Sequence, residues 1–173
     1  MNPEYSANDL IHDEQVKPKL SSGLNVLTIL TIIWCVIQAL LSVWGYFSAQ
    51  TTFEGRDKIL EQMNSGTLPA WAKAMMGDVG HFEEMITKSY ENRLPIMLLS
   101  LVAVGLCFMG ALQMRKLKKQ GFLFYTIGEL LPFLTLYFFI GAFAFSGIGF
   151  MVSICIAVLF ILMYALQRKN LVY

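Results

Sequence analysis

The sequence predicts an all-α polytopic membrane protein: a bundle of four transmembrane helices with a small helical extracytoplasmic cap between spans one and two. Of 173 residues, 56% are hydrophobic and 14% charged, with a mean hydropathy of +0.57, a balance foreign to soluble domains. Lys19 to Glu54 and Arg93 to Arg115 enclose no charged side chain, and Lys119 to Arg168 encloses Glu129 alone. Cations gather beside these stretches, as topology signals do.

Residues 1–23 are polar, mixed in charge and interrupted by Pro3 and Pro18, which predicts a flexible cytoplasmic tail. No secretory signal is apparent, so the first span is expected to act as an uncleaved signal-anchor. A spanning helix needs about 20 apolar residues, and residues 24–173 supply four spans, at about 24–47, 94–114, 122–141 and 147–166. As one helix, Gln120 to Gln167 would reach about 72 Å, more than twice a hydrocarbon core of about 30 Å. The glycines Gly141, Gly147 and Gly149 mark the reversal.

In the first span Asn25, Thr28 and Thr31 share one face, Gln38 lies near mid-depth, and Ser42, Gly45 and Ala49 present small side chains. The loop 48–93 is too long for a simple connection and carries helical periodicity. Ile59, Leu60 and Met63 predict one short helix. Leu68, Trp71, Ala72, Met75, Met76 and Val79 predict a second, with Trp71 as an interfacial anchor. Phe82, Met85, Ile86 and Tyr90 predict a third, running into span two. In span four, Gly149, Ser153 and Ala157 form a small-residue stripe suited to helix packing.

Orientation follows from the cations. Arg115, Lys116, Lys118 and Lys119 crowd the turn between spans two and three, Lys17 and Lys19 precede span one, and Arg168 and Lys169 follow span four. Positive residues in short loops stay in the cytoplasm, which puts both termini there and loop 48–93 outside. The cationic turn is also suited to anionic headgroups.

Glu129 is the principal candidate for chemistry, because an ionisable group within a span is costly. It lies about 12 Å along the helix from Gly121, inside the hydrocarbon. Tyr125 and Thr126, four and three residues earlier, are both within reach of its carboxyl. Pro132 lacks an N–H for the Gly128 carbonyl and is expected to kink the helix there. Thr31 is the polar group at matching depth in span one. With no cation in any span, the apolar setting favours a neutral acid that donates a hydrogen bond. This candidate intramembrane polar site comprises Glu129, Tyr125, Thr126, Pro132 and Thr31.

Other chemistry is sparse. Cys35, Cys107 and Cys155 fall inside spans and read as small apolar residues. Claudin-like, tetraspanin-like and thiol-oxidoreductase architectures, which need cysteines outside or at the membrane surface, are thereby excluded. His81 and Glu84 could ligate a metal only with further donors. No metalloprotease, phosphate-loop or nucleophile-elbow motif occurs, and Gly147-Ile148-Gly149 is a turn. No internal repeat supports an inverted-repeat transporter. No catalytic residue, metal or cofactor is assigned, and nothing points to nucleic acid.

The segment ENRLPIMLLSLVAVGLCFMGALQMRKLKKQGFLFYTIGELLPF, with Gly105, the Arg115 to Gln120 hairpin and Gly128-Glu129-Leu130-Leu131-Pro132, resembles uncharacterised small four-span inner-membrane proteins of Bacteroidota-type bacteria. The resemblance implies a bacterial cytoplasmic membrane and a periplasmic loop 48–93, and no activity. The functional expectation is a non-enzymatic accessory or scaffold subunit whose partners are the lipid bilayer and a membrane protein or second copy. The alternative is a small oligomeric channel or transporter component using Glu129. A lipid-acting enzyme is disfavoured by the lack of clustered His, Asp or Cys.

Overall fold

A computed structural model describes residues 20–72, 78–145 and 148–171. Six α-helices are defined within them: α1 Ser22–Glu54, α2 Arg56–Asn64, α3 Val79–Glu91, α4 Arg93–Arg115, α5 Gln120–Phe139 and α6 Ile148–Gln167. Four of them, α1, α4, α5 and α6, are long and apolar enough to cross a membrane. No strand occurs among the described residues. The protein is an all-α four-span bundle. Most of the predicted tail, and Met75 and Met76 of the predicted stripe, lie outside the described residues.

Helix α1 starts at Ser21, whose hydroxyl accepts from the Leu24 amide at 3.3 Å, satisfying one of the donors a helix start exposes. It then runs 33 residues, about 50 Å at helical rise, well beyond the end expected near Phe47. No proline or glycine interrupts it between Gly45 and Gly55, and the Thr51 and Thr52 hydroxyls each donate to the Ser48 carbonyl at 2.9 Å. The span therefore continues directly into the cap. Gly55 ends it, and α2 follows with Met63 turned inward.

Helix α3 opens at Asp78, which accepts from the Gly80 amide at 3.1 Å. Asn92 separates α3 from α4, its side-chain amide donating to the Lys88 carbonyl at 2.9 Å and the Phe139 carbonyl at 3.5 Å. One side chain thus joins the cap to the end of α5. The cationic turn places Leu117 in the left-handed region, φ 58, which disfavours a branched residue. Leu117 is nonetheless buried beside Leu24, Met114 and Leu171, so its packing holds the turn. At the α5–α6 reversal Gly141 has φ 111, a conformation open to glycine, and a 3-10 turn, Ala142–Phe145, follows.

Small and hydroxylated residues share the interior with larger side chains such as Leu24, Met114 and Tyr164. Ala103, Gly110, Ala111, Thr28 and Thr135 are buried, while Trp34, Leu40, Trp44, Phe138 and Leu166 are exposed. That inversion suits a lipid solvent, where large apolar side chains gain nothing by hiding and small ones let helices approach. Helices α4 and α5 come closest. A Cβ on Gly121 would lie 2.6 Å from the Gly110 carbonyl oxygen, and one on Gly110 would lie 2.7 Å from that of Gly121. Helix α5 passes unbroken through Pro132.

Candidate functional site

The close approach of α4 and α5 decides what surrounds Glu129. A Cβ at Gly128 would sit 2.7 Å from the Cys107 Sγ and 2.8 Å from the Ala103 carbonyl oxygen. Only glycine lets the two backbones meet there, and the meeting brings Cys107 beside the acid. The Cys107 thiol lies 3.8 Å from Glu129 Oε2 and 3.8 Å from the Tyr125 carbonyl oxygen, donating toward both. The Tyr125 hydroxyl, one turn before Glu129, also hydrogen-bonds to the carboxyl. The acid has two donors, one on its own helix and one on its neighbour.

From Tyr125 the cluster extends across the bundle. The Tyr125 ring lies 4.5 Å from the Tyr164 ring of α6, centroid to centroid, and the Tyr164 hydroxyl lies 2.7 Å from Thr31 Oγ1 of α1. Cys35, one turn beyond Thr31, is buried in the same core. Glu129 is half-buried, whereas Tyr125, Tyr164, Thr31 and Cys107 are buried. Every span contributes a polar group to this seam. Burial makes each such bond consequential, because a polar group left unpaired in an apolar interior has no water to turn to.

The predicted residues divide on inspection. Tyr125 reaches Glu129. Thr126 instead donates to the Phe122 carbonyl of its own helix at 2.9 Å. Thr31 belongs to the cluster, but its partner is Tyr164. Pro132 is exposed on α5. Of the span-four stripe, Ala157 is buried, whereas Ser153 is exposed and bonds back to the Gly149 carbonyl at 2.9 Å. Among the described residues no group of His, Cys, Asp and Glu is placed to hold a metal.

Cys107, Tyr164 and Cys35 were not anticipated as partners, nor were Gly110, Gly121 and Gly128 as contact points. One signal could have found Cys107. Residues equally distant from the centre of an antiparallel hairpin face one another, and stepping back from the Lys116 turn by equal lengths sets Cys107 opposite Tyr125. Tyr164 and Cys35 have no such local marker.

Two cavities lie elsewhere. One, about 230 Å³, opens at the cap end between α1, α4 and α5 and includes Arg93 in its wall. The other, about 430 Å³, is an apolar gap between α5 and α6 lined by residues such as Leu130, Phe133, Phe150 and Ala157. Neither is lined by Glu129.

No protein-family model, curated protein or solved structure matches the chain.

Proposed function

We propose that this four-span protein is a non-enzymatic accessory or scaffold subunit of a bacterial cytoplasmic membrane, its bundle serving as anchor and its cap as contact surface. The observation carrying this reading is the engagement of the intramembrane polar groups with one another. Glu129 takes hydrogen bonds from Tyr125 and Cys107, and Tyr164 pairs with Thr31. Such an arrangement locks helices together, and none of Glu129, Tyr125, Cys107, Tyr164 and Thr31 lines either cavity, which is where a substrate would bind.

The cation-rich turn supports an orientation with both termini cytoplasmic and the cap periplasmic. Exposed Trp71 on the cap is the side chain best suited to anchor a partner, since aromatic residues dominate contact energies. Purification of the full chain in mild detergent after crosslinking tests the reading. A partner recovered in fixed stoichiometry, and lost with Trp71→Ala, is the expected result; recovery of this chain alone overturns it.

The alternative, a channel or transporter component, draws on one specific observation: Glu129 is the sole formally charged residue within the apolar part of any span. Replacement of Glu129 with Gln separates the two. A scaffold keeps its assembly and the cell its phenotype, whereas a protonation-dependent path loses its flux.

A further inference from the structure

We propose that the cap-end cavity is a binding site for an anionic phospholipid, with Arg93 holding the headgroup phosphate and the groove beneath it receiving the upper part of one acyl chain. The cavity, about 230 Å³, is half-open, and its wall is mainly apolar, including Ile96, Met97 and Leu136. Arg93 stands at its cap end and Ser100 at its deeper end, two helical turns or about 10 Å apart along α4. A groove that begins with a cation at the end of a span and runs into the hydrocarbon has the polarity of a lipid, charged at one end and apolar along its length.

Arg93 is prepared for an anion. Its guanidinium lies 4.5 Å from the Tyr90 ring centroid and 5.6 Å from that of Tyr46, and Tyr90 stacks on Phe53 at 4.5 Å with an interplanar angle of 10°. The rings fix its position through cation–π attraction without neutralising it. The ion pairs Arg56–Asp57 and Lys88–Glu84 form elsewhere, and neither involves Arg93. A planar guanidinium presents several N–H donors suited to phosphate oxygens, and Ser89 also lines the cavity. The volume is too small for a whole lipid, so the remaining chain stays in the bilayer.

Gly45 permits a decisive test. It lines the groove, and a Cβ built on it meets nothing within 4 Å, so a larger side chain can fill the space without disturbing the backbone. The full chain in mild detergent is titrated with phosphatidylglycerol, phosphatidylcholine or inorganic phosphate, with retained lipid read by native mass spectrometry and stability by thermal melting. Phosphatidylglycerol is expected to be retained and to raise the melting temperature, phosphatidylcholine and phosphate much less. Arg93→Gln should lower phosphatidylglycerol retention about tenfold, the loss of one charge-assisted contact, with Arg93→Lys between. Gly45→Leu should lower it while leaving the melting temperature without lipid unchanged or higher. Lys116→Gln with Lys118→Gln, in the opposite turn, should leave it intact. Equal retention of both lipids, equal stabilisation by phosphate, loss confined to the Lys116 and Lys118 variant, or full retention by Gly45→Leu would each overturn the proposal. If Arg93→Gln fails to fold, Gly45→Leu decides alone.

Discussion

Thr31 Oγ1 and the Tyr164 hydroxyl lie 2.7 Å apart although 133 residues separate them. Their hydrogen bond fastens the first span to the last at a buried position, and it holds the Tyr164 ring against that of Tyr125, 4.5 Å away. Through Tyr125 it is coupled to Glu129. The rotation of α6 against the other spans therefore rests on this pair.

Removing that bond should destabilise the bundle in a characteristic way. Interhelical hydrogen bonds in membranes contribute about 0.6 kcal/mol on average and up to about 1.7 kcal/mol. In a double-mutant cycle of Thr31→Val and Tyr164→Phe, followed by unfolding in mixed detergent micelles, a coupling energy in that range is expected. Additive effects would show that the hydroxyls do not interact.

Three glycines should be intolerant of a single methyl. Gly110→Ala, Gly121→Ala and Gly128→Ala each place a Cβ within 2.8 Å of backbone or sulfur atoms across the α4–α5 contact, and forced overpacking costs about 1–3 kcal/mol. Gly105→Ala is the control. Nothing lies within 4 Å of its Cβ, so the gain of alanine over glycine in a helix, about 0.5–1 kcal/mol in water, opposes no clash. Thermal melting in one detergent would separate three lowered midpoints from one that is unchanged or raised.

Substitutions at Glu129 should sort by hydrogen-bonding capacity rather than charge. Glu129→Gln retains an acceptor for Tyr125 and Cys107 and should leave expression and melting nearly unchanged. Glu129→Leu removes it, stranding a buried phenol at a cost of about 1–3 kcal/mol, so yield and melting temperature should both fall. Equal losses in the two variants would indicate that ionisation itself matters to the fold.

The orientation can be read with a membrane-impermeant thiol reagent. Ser65→Cys, on the exposed end of α2, should label in spheroplasts, whereas Lys118→Cys in the cationic turn should label only after the membrane is opened. The reverse pattern would place the turn outside and contradict the charge rule.

Much of the bundle was legible before any coordinates. The helices Arg93–Arg115 and Gln120–Phe139 end within two residues of the spans expected at 94–114 and 122–141, because charge and glycine punctuate the chain locally. Helix α1 continues past the span expected at about 24–47, into Ser48, Gln50, Thr51 and Thr52, which read as loop. The Ser48, Thr51 and Thr52 hydroxyls bond to carbonyls of their own helix and the Gln50 amide donates to Glu54, so the helix runs to Glu54. Within the polar site Tyr125 was legible from its four-residue spacing to Glu129, while Thr126 at three-residue spacing turned to its own backbone.

Hydropathy and charge are properties of each segment by itself, so the number of crossings, the hairpin and the isolation of Glu129 were settled by residue order alone. Which groups satisfy that acid is another matter. Cys107 from α4, Tyr164 against Tyr125 and the pairing of Tyr164 with Thr31 depend on the rotation and register of one helix against another, and nothing within a single helical period specifies those. Close contact at Gly110, Gly121 and Gly128 sets that register for α4 and α5 and brings Cys107 to Glu129, while the Thr31–Tyr164 bond ties α6 to α1.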